Sequence, residues 1–172
     1  MRGVALILAW VVFFAAFPGD GVFGESYTAP VMAVIEGDIM VLTKGEEGVI
    51  VRLDGIDCPE RGQPFFMEAW QFVQDRVAGK SVWIEVRQVD HSGKRVARVV
   101  IDGTDLSEEL LKAGLAWYDS RFARDRRLES IQEEAKKKEC GLWALEKPCG
   151  PMGLQAGAGR HCSSGGDGRG TL

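Results

Sequence analysis

Apolar and polar positions alternate along the first half of the folded region and give way to helical spacing further on. Val31–Ile35 and Ile39–Thr43 read as strands parted by Glu36-Gly37-Asp38, and Val49–Leu53 as a third strand beyond the turn Lys44-Gly45-Glu46-Glu47-Gly48. Gln63-Pro64 opens a helix through Ala78, with an apolar stripe of Phe65, Ala69, Phe72, Val73 and Val77 and with Gly79 as its stop. Val82–Val89 and Val96–Asp102 are two more strands, joined by the turn Asp90-His91-Ser92-Gly93. Asp105 caps a helix through Ala113, with Glu108 in the capping-box position and Gly114 closing it. A last amphipathic helix covers Asp125–Glu139, turning Leu128, Ile131 and Ala135 inward and Lys136–Lys138 toward water. Three strands, a helix, two strands and two helices predict an α+β fold. The element count is that of a five-stranded OB-fold Greek-key β-barrel with three α-helices.

The two ends depart from this pattern. After Arg2 an apolar run from Val4 to Phe17 is followed by Pro18-Gly19-Asp20-Gly21, and Val22-Phe23-Gly24 offers a cleavage site. About 14 apolar residues suit a signal peptide and fall short of the roughly 20 that span a bilayer. Residues 1–24 are therefore expected to be a leader, and the mature protein to be secreted or periplasmic without stable membrane association. Residues 149–172 contain eight glycines and almost no large apolar side chains, so chain entropy predicts a disordered tail. Residues 25–148 remain as one domain, expected to be a monomer and long enough to bury its own core.

Charge and cysteine content narrow the chemistry. The 172-residue chain carries 21 Lys and Arg against 25 Asp and Glu, and residues 25–148 hold 18 basic and 23 acidic side chains. A bulk electrostatic grip on nucleic acid is not expected from that balance, so a polyanion would have to be held locally. One candidate is the basic run from Arg121 through Arg124, Arg126 and Arg127, which equally reads as a solvated helix entrance. Cys58, Cys140, Cys149 and Cys162 could pair in an oxidising compartment, most simply among the last three. With no C-x-x-C and only His91 and His161, a thiolate zinc site is poorly supported.

The segment Arg52-Leu53-Asp54-Gly55-Ile56-Asp57-Cys58-Pro59-Glu60-Arg61-Gly62 is the densest chemistry in the chain. If the preceding turn centres between Glu46 and Gly48, the hairpin sets Asp38 opposite residues 55 to 57. Two carboxylates nineteen residues apart then meet, and a hard cation would relieve their repulsion. Oxygen ligands without histidine favour Ca²⁺ or Mg²⁺; exposed acids at loop ends are the alternative. The proline after Cys58 holds it extended, which favours a packed or carbonyl-donating role over a nucleophilic thiol.

Together with Gly62-Gln-Pro-Phe65, Asp90-His-Ser-Gly-Lys-Arg-Val-Ala-Arg-Val99, Leu110-Leu-Lys-Ala-Gly-Leu-Ala-Trp117 and Gly141-Leu-Trp143, these motifs resemble the staphylococcal nuclease family over about residues 30–145. The resemblance implies an OB barrel and Ca²⁺-dependent hydrolysis of DNA and RNA, with a preference for single-stranded or frayed substrate and 5′-hydroxyl and 3′-phosphate products. It implies calcium carboxylates at Asp38 and Asp57, and a calcium-binding backbone carbonyl at Cys58. Glu60 would be the general base, and Arg52 the first of two arginines on the scissile phosphate.

The chain departs from the family at three places. Lys94 stands where the second arginine belongs; it keeps the charge without the planar fork, and it is expected to point at the phosphate. Arg95 could replace it only if the turn slips by one residue, which would invert the alternation of Val96, Arg98 and Val100. Ser92 replaces a turn tyrosine, and Tyr118 and Phe122 are the aromatic residues left near the expected nucleotide seat, so substrate affinity should be weak. Ile39 follows the first metal aspartate where the family commonly has threonine. The rival expectation is a catalytically weak or inactive nucleic-acid-binding OB module. Retention of Asp38, Arg52, Asp57 and Glu60 favours the enzyme.

Overall fold

The structure is a computed structural model that describes residues 24–121 and 125–145; the expected leader, the glycine-rich tail and Phe122 lie outside them. Five strands close on themselves. β1 (Ser26–Glu36) pairs with β2 (Ile39–Lys44), which pairs with β3 (Glu47–Leu53). After a two-residue strand β4 (Ile56–Asp57) and helix α1 (Phe66–Val77) come β5 (Ser81–Val89) and β6 (Arg95–Ile101). β5 lies between β1 and β6, and a parallel pairing of β6 with β3 completes the barrel. Then follow β7 (Thr104–Asp105) on the outer edge of β6, α2 (Leu106–Lys112), β8 (Trp117–Tyr118), α3 (Arg126–Lys137) and a 3₁₀ turn at Gly141–Ala144. This is the OB-type α+β barrel that the pattern predicts, closed so that the five barrel strands leave no free edge.

Alternation fills the barrel. Met40 and Leu42 of β2, Val51 and Leu53 of β3, Val82, Ile84 and Val86 of β5, and Val99 and Ile101 of β6 are buried. The helices cover the barrel with Ala69, Val73 and Val77 of α1, Leu106, Leu110 and Leu111 of α2, and Leu128 and Ala135 of α3. Each fully buried aliphatic side chain of this kind contributes roughly 1.5–3 kcal/mol.

Three expectations are corrected. First, β1 begins five residues earlier than predicted, because its first half pairs with β5 from Ser26↔Glu85 to Pro30↔Ser81 and its second half pairs with β2. Ser, Thr and Pro disguise that first half; Pro30 is tolerated where the strand changes partner. Second, the β2–β3 turn is the two-residue Gly45-Glu46, with Lys44↔Glu47 and Ile39↔Arg52 in register. Asp38 therefore lies beside Leu53, whose amide donates to the Asp38 carbonyl at 2.8 Å, and not opposite residues 55 to 57. Third, α1 starts at Phe66 because Gln63 is spent on a turn, its side-chain oxygen accepting from Glu60 N at 2.8 Å. Asp105 caps α2 as expected, accepting from Ser107 N, whereas Glu108 pairs with Arg127 of α3 at 2.9 Å instead of closing a capping box.

Two glycines from separate motifs explain each other. A Cβ on Gly114 would stand 2.2 Å from the Cys140 carbonyl oxygen, and one on Gly141 would stand 2.4 Å from the Gly114 oxygen. Leu142 N donates to Gly114 O at 2.9 Å, which docks the chain after α3 onto the end of α2. Cys140 beside this crossing is disulfide-bonded; the other C-terminal cysteines lie outside the described residues. Gly114→Ala should lower stability in urea unfolding by about 2–4 kcal/mol, combining overpacking with a positive φ. Gly103→Ala, equally left-handed but with open space around it, should cost only about 1–2 kcal/mol.

Candidate active site

Asp38 sits in the tight turn between β1 and β2, held there by its carbonyl bond to Leu53. The neighbouring Gly37 is required by packing: a Cβ there would lie 2.9 Å from both Cys58 Sγ and Ala69 Cβ. The Glu36-Gly37-Asp38 motif thus seats its aspartate against the loop after β4 and the wall of α1. Asp57 arrives by a different route. β3 ends at Leu53, the chain turns at Gly55, and β4 pairs with β8 through Ile56↔Tyr118 and Asp57↔Trp117.

Arg52 joins the two acids. Its Nε donates to Asp38 Oδ2 at 3.1 Å and its Nη2 to Asp57 Oδ1 at 2.8 Å. Asp38 is only 3 % exposed, and burial pushes its carboxyl up to about 7, against the pull of Arg52. Asp57 is raised for the same reason, by burial first, with Asp119 and Glu60 adding to the shift. Burial opposes the charge of Arg52, yet Asp38 and then Asp57 hold its guanidinium above its usual value.

Two further members were not foreseen as part of this site. Asp119 is buried, and its amide donates to Gly55 O at 2.9 Å, which extends the β4–β8 pairing. Arg121 clamps it, with Nε 2.9 Å from Oδ1 and Nη2 2.7 Å from Oδ2, and Nη2 also lies 4.0 Å from Asp57 Oδ2. Although burial opposes its ionisation, the hydrogen bonds from Arg121 hold the Asp119 carboxyl below its ordinary range. An Asp-x-Arg pair just past Gly-Leu-Ala-Trp was visible in the sequence; that β8 would carry it to Asp57 was not.

The other expected residues fall at varied distances from this core. Glu60 is exposed on the loop after β4, close enough to raise Asp57. Cys58 is a free, buried thiol facing Gly37 and Ala69, pushed well up by burial and then by the nearby carboxylates. Burial and the raised thiol make it a poor nucleophile. Lys94 closes the β5–β6 turn, its amide bonded to Asp90 and its Nζ 2.7 Å from Ser92 Oγ. The β5–β6 pairing shifts by one residue between Val86 and Gln88, yet Arg95 does not replace Lys94 at the turn. It pairs with Val51 in the β3–β6 register, and its Nη1 donates to Tyr27 Oη at 2.8 Å. Tyr118 spends its hydroxyl on the N-terminus of α3, accepting from Asp125 N at 3.0 Å.

Among the described residues, no three His, Cys, Asp or Glu side chains gather to hold a metal ion. The candidate donors are the Asp38 and Asp57 carboxylates with the Cys58 carbonyl, all hard oxygens. This set fits Ca²⁺ or Mg²⁺ when water or phosphate oxygens complete the shell. Burial works against a second negative charge beside Asp57, and a bound cation would favour the ionised form of Asp38.

The sign of the Asp38 effect on stability follows from its raised carboxyl. Below about pH 4 the group is protonated in folded and unfolded chains alike and contributes nothing. As pH rises toward 7 the unfolded chain ionises first, so the metal-free protein loses stability through that window and recovers none above it. The melting temperature of chelated wild type should therefore fall between about pH 4 and pH 7. Asp38→Asn should abolish most of that fall, and an equal fall in the variant would refute the assignment.

The profile of the staphylococcal nuclease homologue family matches residues 50–145, from β3 to the 3₁₀ turn. An uncharacterized endonuclease of Haemophilus influenzae is 32 % identical over 128 residues, covering 74 % of this chain and 72 % of that protein. Another, from Escherichia coli O157:H7, is 29 % identical over 149 residues, covering 86 % and 91 % respectively. A staphylococcal-like nuclease of Arabidopsis thaliana is 35 % identical over 98 residues, or 57 % of this chain and 30 % of that protein. With the barrel, the Asp38–Arg52–Asp57 cluster and these matches in agreement, the chain belongs to the staphylococcal nuclease family.

Proposed function

We propose that the protein is an extracytoplasmic, calcium-dependent endonuclease that hydrolyses DNA and RNA to 5′-hydroxyl and 3′-phosphate ends. The observation that carries this reading is the convergence of Asp38, Arg52 and Asp57, with Glu60 within electrostatic reach. Membership of a family whose relatives include proteins named as endonucleases supports it.

Each side chain has work that its surroundings permit. Asp38, Asp57 and the Cys58 carbonyl would hold the cation, which when bound supplies Lewis-acid polarisation of a phosphoryl oxygen. Arg52 offers a planar fork to the phosphate and neutralises the charge that builds on the five-coordinate phosphorane. Its present partners are the two carboxylates that would hold the cation, which would compete for them and leave the guanidinium to the phosphate. Glu60, on an exposed loop, accepts the proton of the attacking water. Lys94 adds positive charge from the β5–β6 turn, and Tyr118 offers apolar surface at the substrate side. The acidic domain and the scarcity of aromatic residues make substrate binding weak, and the preference for single-stranded or frayed substrate is the one the family resemblance implies.

The direct test is incubation of the mature domain with denatured DNA in Ca²⁺ and in chelator. Cleavage should appear with Ca²⁺ and stop with chelator; none at high enzyme concentration would leave a nucleic-acid-binding module of the same fold. Glu60→Gln should reduce kcat by roughly 10²–10⁴ with KM little changed. Full activity in that variant would remove Glu60 from the mechanism.

A further inference from the structure

Asp57 has a guanidinium beside each carboxylate oxygen. Arg52 reaches Oδ1 from the barrel at 2.8 Å, and Arg121 approaches Oδ2 from the end of β8 at 4.0 Å. The two arginines differ in setting. The Arg52 side chain is 19 % exposed and sits inside the acid pair, whereas that of Arg121 is 67 % exposed at its mouth.

Arg121 is also held in orientation. Its own amide donates to Asp119 Oδ1 at 3.0 Å, closing a tight turn, while Nε and Nη2 grip both oxygens of the same carboxylate. Asp119 is itself immobilised, being buried and tied by its backbone to Gly55, two residues before Asp57. A guanidinium anchored along one edge by a buried carboxylate is preorganised, which is what stabilising developing charge requires. Lys94 lacks these properties. It is a point charge on a flexible stem, and its ammonium is bonded to Ser92 Oγ in an exposed turn.

We propose that Arg121, positioned by Asp119, is the second phosphate-binding guanidinium of this site, a part that Lys94 holds only as a supporting charge. The ligand is a phosphodiester of the nucleic-acid backbone, so the inference rests on the nuclease reading above. It explains how the chain carries lysine at position 94: the planar fork comes from a different strand, through the β4–β8 pairing.

Two measurements separate this inference from the reading beneath it. In Ca²⁺-dependent cleavage of denatured DNA, Arg121→Ala should lower kcat/KM by on the order of 10²–10³, and Lys94→Ala by less. Arg121→Lys should recover only part of the loss. In Ca²⁺, binding of a cleavage-resistant phosphorothioate single strand should show a salt dependence about 0.7 shallower for Arg121→Ala, one phosphate contact fewer. Asp119→Asn should lower kcat while leaving that slope at its wild-type value. Should Arg121→Ala fail to fold, Arg121→Gln, which keeps hydrogen-bond donors for Asp119, carries the same comparison. Wild-type kcat/KM and slope in the Arg121 variants, or a larger loss from Lys94→Ala, would overturn the proposal while leaving the nuclease intact. A wild type that cleaves nothing would instead defeat the nuclease reading, and the binding slope alone would then decide whether Arg121 meets phosphate.

Discussion

Two carboxylates brought together in a half-buried pocket repel each other, and one guanidinium between them makes the arrangement tenable. Asp38 and Asp57 would be costly neighbours without Arg52, since like charges at short range in low dielectric strongly resist joint ionisation. Much of the surrounding architecture reads as the means of delivering these three groups. The β1–β2 turn presents Asp38, the last residues of β3 present Arg52, and the short β4–β8 pairing fixes Asp57. The β3–β6 pairing that closes the barrel runs from Val51 to Leu53, so the strand carrying Arg52 is braced on both sides.

That delivery depends on close packing beneath the charges. Cys58 puts its sulfur into the contact between Gly37 and Ala69, so the turn that holds Asp38 rests directly on the loop that holds Asp57. The thiol is a spacer in this wall, and its high proton affinity follows from burial beside two acids. A residue of larger volume there would separate the two carboxylates before it touched any ligand. The sequence Asp-Cys-Pro therefore joins electrostatics to packing within three residues.

The barrel and its helices are legible because each rests on a local signal, whereas Asp38, Arg52, Asp57 and Glu60 are picked out by their motifs and only the fold shows that the first three meet. Alternation marks β2, β3, β5 and β6, and the Asp105 and Asp125 caps mark α2 and α3. The β2–β3 register was misjudged because Gly45 and Gly48 both offer a turn centre, and only pairing across the finished sheet chooses between them. Ser26–Pro30 was missed because its strand character comes from β5, more than fifty residues away. Arg121 stands out in the sequence only as the start of a basic run, and its placement with Asp119 beside Asp57 is hidden for the same reason. Nothing near them in sequence says that two residues of β8 will add to two of β4, a pairing whose stability comes from the barrel and helices around it. Sequence reasoning recovers what neighbours dictate and loses what closure of the fold dictates.

The same long-range placement bears on how an acidic domain can handle a polyanion. With more acidic than basic side chains, its overall field does not draw in nucleic acid, and steering cannot raise the encounter rate. Positive charge at the site is instead local and paired: Arg52 with Asp38 and Asp57, Arg121 with Asp119. Pairing mutes each guanidinium at long range but fixes its plane and direction at short range. A phosphate that reaches the mouth meets oriented donors, while one passing at a Debye length meets a net negative surface. On the function proposed above, such a site would discriminate by fit at close approach rather than by long-range attraction.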